Sequence, residues 1–179
     1  GTPLRFVLPR DRAGELRYYR VAYDDSLRDA LLAEVGRGPG SLLTGPERVS
    51  LLDDVTALAG AGRLPLAAAL DVVPSLVQDP DPFVTIAAVD MIGLLHPSRL
   101  PDSLRPRLAR ALRALLGKRA ASLGWTPGAD PPEVRLLRER LVPMVATLGE
   151  DEALRAQARE LALAWLADRR AVDADLAVG

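Results

Sequence analysis

Apolar residues recur every three to four positions along most of this chain, and every second position only near its start. The alternating part covers Leu4–Leu8 and Leu16–Tyr23, read as two short strands around a polar turn. In the second, Tyr19, Val21 and Tyr23 share one face and Tyr18 and Arg20 the other. A two-stranded hairpin is marginal alone, so these strands are expected to complete a sheet supplied by other sequence. A first residue of Gly1 rather than methionine fits the same expectation, that the chain is a fragment.

The rest predicts helices. A start signal at Asp24-Asp25-Ser26 opens one to about Val35, with Leu27, Leu31 and Val35 in line. The next stretch, Gly45 to Leu64, carries its own punctuation. Pro46 suits the first helical position, Thr44 or Gly45 the N-cap, and Glu47 puts a negative charge in the first turn. Val49, Leu51, Leu52, Val55, Leu58 and Ala59 form its stripe, and Gly60 and Gly62 stop it. A partner helix runs from Leu66 to Val77, kinked or shortened by Pro74. Asp81-Pro82 opens a helix to about Leu95 that is apolar on almost every side, and is expected to be the most buried. A long arginine-rich helix follows from Leu100-Pro101-Asp102 to Leu123. Pro132 to Leu148 is next, with a kink expected at Pro143, and Asp151 opens the last, to about Ala167. Helices thus pair as 46–77, 82–123 and 132–167, a spacing of about 40 residues that matches HEAT- or armadillo-like pairs stacked as an α-solenoid. The fold class is therefore mainly α, preceded by a short β-hairpin. The division is residues 1–24 as a strand remnant and 25–179 as a helical-repeat domain.

Two charged residues break the apolar stripes. Arg48 projects between Val55 and Ala59. Two readings are open for it: its head snorkels to water from the helix end, or it is partly buried and holds a carboxylate from another element. Asp90 lies between Ile86 and Phe83 on the nearly all-apolar helix, where burial would demand a partner or a raised pKa. Asp90 is expected to meet an arginine, with Arg48 the first candidate. Such a pair fixes helix register rather than doing chemistry.

Composition narrows the function classes. Apolar residues make up 49% and charged residues 26%, as in ordinary globular proteins, but aromatics only 4%, so alanine, leucine and valine do the packing. A net charge of −1 gives no general attraction to nucleic acid or to an anionic membrane, and neither is expected as a partner. There is no cysteine, so disulfides and thiolate metal sites are out. No apolar run approaches ~18 residues and no signal peptide is seen, and the cytoplasm is the expected compartment.

Candidate chemistry is thin. His96 is the only histidine, so H-E-x-x-H is absent and no metal or cofactor is expected in this chain. His96-Pro97-Ser98 follows a helix, and a capping or solvent role outweighs a Ser98–His96 nucleophile pair, because nothing local orients the imidazole. Gly36-x-Gly38-x-Gly40 has the wrong spacing and setting for a phosphate loop and reads as a linker. Arg105, Arg107, Arg110, Arg113, Lys118 and Arg119 make one helix basic. A solvated face is the default for such a run, and lining a cavity that receives an acidic group is the alternative.

Several stretches together resemble the aminopeptidase N family of zinc metallopeptidases. Arg17-Tyr18-Tyr19-Arg20-Val21-Ala22-Tyr23-Asp24 is similar to its G-Y-Y-R-V-x-Y-D segment, with Arg17 for glycine and Ala22 for a common asparagine. ERVSLLDDVTALAGAGRL resembles D-R-x-x-L-x-D-D-x-x-x-L-A-x-x-G. LGWTPGADPPEVRLLRERLV resembles its L-G-W, acidic-loop, L-R-x-x-V pattern, and Asp173-Ala174-Asp175-Leu176 its p-x-D-L segment. The resemblance implies the end of a β-sandwich domain followed by a C-terminal helical domain that closes over the catalytic domain. It implies zinc only in the parent enzyme, since the catalytic motifs belong to earlier domains. The expected partners are the catalytic and β-sandwich domains of the same polypeptide, and peptide substrate indirectly. Arg20, Tyr23, Arg48 and Asp54 match the pattern best and, with Asp90, are expected in fold and interdomain contacts. Arg105, Arg107, Arg110 and Arg113 are the expected face toward substrate. The competing reading is a free-standing α-solenoid interaction module without peptidase activity.

Overall fold

Local punctuation decides where each helix begins and ends. A computed structural model of the chain describes residues 21–96, 98 and 100–170. The hairpin expected over residues 4–23 lies outside these except for residues 21–23, and no strand occurs among the described residues. The protein is mainly helical, and its contacts gather into two compact units, Gly1–Leu94 and Leu95–Gly179.

In the first unit, α1 (Asp25–Val35) is capped by Asp24, whose carboxylate accepts from Leu27 N at 2.9 Å. A single 3-10 turn, Gly38–Gly40, leads to α2 (Gly45–Gly60). Pro46 sits in the first turn of α2 as predicted, and the Glu47 carboxylate accepts from Thr44 N at 2.8 Å and Thr44 Oγ1 at 2.7 Å. Of the two glycines expected to end it, Gly62 does so, with φ +70°. Its N–H bonds Ala59 O and Arg63 N–H reaches back to Leu58 O, the paired bonds of a left-handed cap.

The helix expected over Leu66–Val77 is two short ones, α3 (Leu66–Leu70) and α4 (Val73–Leu76). Pro74 has no N–H for the Leu70 carbonyl and its ring crowds that turn, so the break falls just before it. α5 (Pro82–Ile92) is capped by Asp81, which accepts from Phe83 N at 3.0 Å. It packs on α2, α3 and α4, burying Val84, Thr85, Ala87, Ala88, Val89, Met91 and Ile92. The expectation of a largely buried helix holds, but one side is open. Phe83 and Asp90 share that side and both are exposed.

In the second unit a 3-10 turn, Asp102–Leu104, precedes α6 (Arg105–Leu123), which buries Ala109, Leu112, Leu116 and Ala120. α7 (Pro132–Thr147) packs on α6, and α8 (Glu152–Ala167) packs on α7. α7 continues through Pro143. Buried positions Leu137, Leu141 and Val145 place Pro143 on the opposite face of α7, and the carbonyl that lacks its N–H belongs to Glu139, an exposed residue. The α7–α8 turn is tight: a Cβ on Gly149 would lie 2.4 Å from Val145 O. Asp151 caps α8 by accepting from Leu154 N at 3.0 Å. Among the described residues no helix is long and apolar enough to cross a membrane.

Candidate functional site

Side-chain chemistry in the interior is confined to a few residues. Arg48, Asp54, Asp79, Thr85 and Arg138 are the buried polar side chains among the described residues. Arg48 lies in the first turns of α2, on its inner face, and is only 4% exposed. Its Nη2 donates to the Asp79 carboxylate and, at 3.3 Å, to Val35 O, the last residue of α1. Asp79 is 3% exposed, and its other oxygen accepts from Asp81 N at 2.9 Å. Thr85 Oγ1 lies 3.3 Å from Asp79 O and 3.4 Å from Leu76 O, tying the loop ahead of α5 to the helix itself. The second reading of Arg48 is the observed one, since it is buried and holds a carboxylate from another element.

That carboxylate is Asp79 and not Asp90, which corrects the expected pairing. Asp90 is exposed because α5 turns the side carrying Val84, Ala88 and Met91 inward and the side carrying Phe83 and Asp90 outward. Asp79 escaped the sequence reading because it sits in Asp79-Pro80-Asp81-Pro82, a run that looks like helix-start punctuation. The available signal was its redundancy: one aspartate suffices for the N-cap, and Asp81 fills that role.

Two of the resemblance residues, 31 positions apart, also come together. Tyr23 Oη is buried and without a hydrogen-bond partner. Its pKa is pushed up to about 12, first by burial and second by the negative charge of Asp54. Asp54, on α2, is itself 4% exposed. Arg20, the third residue of that set, lies outside the described residues.

The second unit carries a clamp of the same kind. Arg138, on the inner face of α7, is buried, and its Nη2 lies 2.5 Å from Asp130 Oδ2. Its Nε donates to Leu123 O, the last residue of α6, at 3.2 Å. Asp130 also accepts from Gly128 N at 2.9 Å. The hydrogen bond from Arg138, aided by that from Gly128, holds the Asp130 carboxyl below the usual carboxylate range. In each unit, then, an arginine on one helix bonds both the final carbonyl of the preceding helix and a loop aspartate. Each also keeps one buried nitrogen without a partner, Nε in Arg48 and Nη1 in Arg138. Arg138 was missed because it stands among Arg135, Glu139 and Arg140 in what reads as a charged surface. Its angular place between Leu141 and Val142, both buried, was the usable signal.

The arginines of α6 have divided roles. Arg113 Nη1 donates to Gly149 O, joining Arg155, whose Nε and Nη2 donate to Ala146 O at 2.7 Å and Thr147 O at 3.0 Å. Both cations satisfy carbonyls at the C-terminus of α7, where the helix dipole favours positive charge. Arg105 pairs with Asp102 at 3.1 Å. Arg107 and Arg110 are exposed. His96 Nδ1 lies 2.7 Å from Ser98 Oγ and 3.3 Å from Ser98 N, with both residues exposed. This ring nitrogen closes an exposed turn, in keeping with the capping or solvent role expected from the sequence.

No curated protein and no solved structure matches the chain. A family model does: the one described as the ERAP1-like C-terminal domain matches residues 13–178. The match takes in the Tyr23 and Asp54 motifs, both arginine clamps and all the helices described above. It bears out the resemblance to the C-terminal domain of aminopeptidase N family enzymes, and the chain belongs to the ERAP1-like C-terminal domain family.

Proposed function

We propose that this chain is the non-catalytic C-terminal domain of a zinc-dependent aminopeptidase, acting as lid and scaffold over the chamber in which peptide N-termini are trimmed. The family match across residues 13–178 carries this reading. In it, residues 1–24 end a preceding β-sandwich domain. Residues 25–179 form antiparallel helix pairs stacked as a HEAT- or armadillo-like solenoid. Arg20, Tyr23 and Asp54 serve contacts at the junction with the preceding domain. Arg48 and Asp79 hold the first helices in register. Zinc and the catalytic residues belong to the parent enzyme, working in the cytoplasm. Arg107 and Arg110, free of the structural duties of Arg105 and Arg113, are the members of the α6 set available to face the chamber.

The test compares the parent enzyme with a version lacking the segment equivalent to residues 25–179. Hydrolysis of a one-residue chromogenic amide and of a long peptide are measured for both. The reading expects the shortened enzyme to lose its discrimination by peptide length while retaining zinc. Unchanged length dependence, or aminopeptidase turnover by the purified 179-residue chain alone, would overturn it.

A further inference from the structure

The charge pattern of α6 works against the helix that carries it. Between Asp102 and Asp130 the chain has no acidic residue, yet it holds Arg105, Arg107, Arg110, Arg113, Lys118 and Arg119. Arg105 and Arg107 stand in the first turn, at the positive end of the helix dipole, where cations are unfavourable. Arg107 and Arg110 are three residues apart on one surface, a repulsive spacing, with no carboxylate within the helix to offset it. Sequences are generally consistent with the structures they form, and departures concentrate where a segment does something other than fold.

The structure separates the cations that serve the fold from those that do not. Arg105 has Asp102, and Arg113 holds the α7–α8 turn. Arg107, Arg110 and Lys118 are exposed, with no ion pair among the described residues. These three lie on the side of α6 opposite Ala109, Leu112, Leu116 and Ala120, the side that is buried. Between and beside them the surface is Ala111, Ala114 and Ala121, all exposed. The result is a strip of three cations set among small side chains, with no carboxylate paired to them among the described residues. From Arg107 to Lys118 it spans three helical turns, about 16 Å at 1.5 Å per residue.

We propose that this outward face of α6, with Arg107, Arg110 and Lys118 set across Ala111 and Ala114, docks an acidic segment of polypeptide. The alanines let a second backbone approach closely, and the cations match carboxylates spaced along a helix. A membrane surface fits less well. An interfacial helix must insert its apolar face, and that of α6 is buried. Nucleic acid fits less well too, because the chain as a whole is net negative and the strip has no aromatic side chain for stacking. The docking surface extends beyond the scaffold role and does not rest on it: it is read on the 179-residue chain alone, whereas the scaffold role is read on the parent peptidase.

The experiment measures fluorescence anisotropy of a labelled alanine-based helical peptide carrying glutamates at positions i, i+3 and i+11. A peptide of the same composition, with its glutamates spread around the helix, is the comparison. The proposal expects the patterned peptide to bind more tightly, and binding to weaken as salt shortens the screening length from about 10 Å at 0.1 M to about 3 Å at 1 M. Arg107→Glu with Arg110→Glu should weaken it by roughly tenfold or more. Arg107→Gln with Arg110→Gln should weaken binding while leaving the thermal midpoint by circular dichroism unchanged or higher, because the helix loses repulsion and not support. Equal binding of the two peptides, no loss on charge reversal, or a lowered midpoint in the glutamine variant would overturn it. So would preferential binding to phosphatidylserine vesicles or to duplex DNA.

Discussion

Arg48 and Asp79, 31 residues apart in sequence, meet in the interior of the first unit, and neither is more than 5% exposed in its side chain. The pair joins three segments: the end of α1 through Val35 O, the start of α2, and the loop before α5 through Asp81 N. Removing one member leaves the other as an uncompensated buried charge. Arg48→Met should therefore cost about 3–5 kcal/mol. Asp79→Asn in the same chain should restore part of that loss, because the charge is gone while an amide oxygen still accepts from Asp81 N. Urea unfolding followed by far-UV circular dichroism, run as a double-mutant cycle, checks this. A double variant as unstable as the sum of its parts would show that Arg48 and Asp79 act independently.

Asp130 gives the second unit a dependence on acid. Its folded pKa lies below the unfolded value, so the carboxylate stabilises the fold at all pH above the unfolded value of about 3.9. That contribution is lost as pH falls through the folded value. Both tryptophans, Trp125 and Trp165, belong to this unit, so their fluorescence follows its unfolding. Urea midpoints should hold steady from neutrality to about pH 5 and fall as pH drops further. In Asp130→Asn the midpoint at neutral pH should be lower and the acid-side slope shallower. A parallel slope in the two proteins would assign the acid sensitivity elsewhere.

These two clamps also show which parts of the fold could be read from sequence. The bounds of α2 were legible because every signal is local: Thr44 with Glu47, Pro46, and Gly62 in the left-handed conformation. The inward angle of Arg48 was legible on that helix, but the angle left open whether its head snorkels to water or stays buried, as it does. Its partner was not, because Asp79 lies in a loop between α4 and Pro80, where no periodicity indicates which way a side chain points. α5 misled for a different reason. A helix that is apolar nearly all round does not say which side faces the core, and Phe83 looked as inward as Val84. Only packing against α2, α3 and α4 decides it, leaving Asp90 on the outside. Arg138 shows the converse, a buried cation concealed by charged neighbours that face water.

Tyr23 reports directly on the meeting of the two family motifs. Its phenol should ionise near pH 12, since burial and the Asp54 carboxylate both disfavour the phenolate. Tyr18 and Tyr19 are the other tyrosines, so a Tyr18→Phe, Tyr19→Phe chain isolates the signal. Absorbance at the phenolate band, titrated through alkali, should give a midpoint clearly above the ordinary value of about 10. Asp54→Asn should lower that midpoint without bringing it to the ordinary value, because burial is the larger cause. The raised folded pKa also means that the Tyr23 contribution to stability is complete below about pH 10 and lost as pH rises toward about 12. A midpoint unmoved by Asp54→Asn would separate the two motifs.

The α7–α8 turn makes the most local demand on sequence. At Gly149 any side chain would place its first carbon 2.4 Å from Val145 O, against backbone that belongs to α7 itself. Neither the helix nor the following Glu150, already at φ +51°, offers an easy direction of escape. The turn is also where Arg113 and Arg155 deliver their hydrogen bonds, so a shift there loosens both cations from the end of α7. Gly149→Ala should therefore destabilise the second unit by about 2–4 kcal/mol, well above the typical cost of a point substitution. Gly128→Ala is the comparison, because the nearest atom to its added carbon is the Asp130 carboxylate at 3.5 Å, an ordinary contact. Urea unfolding followed by tryptophan fluorescence should show a large shift for the first and a small one for the second. Equal shifts would mean that the turn can open without cost, and that the arginine caps, not the close approach at Gly149, set its shape.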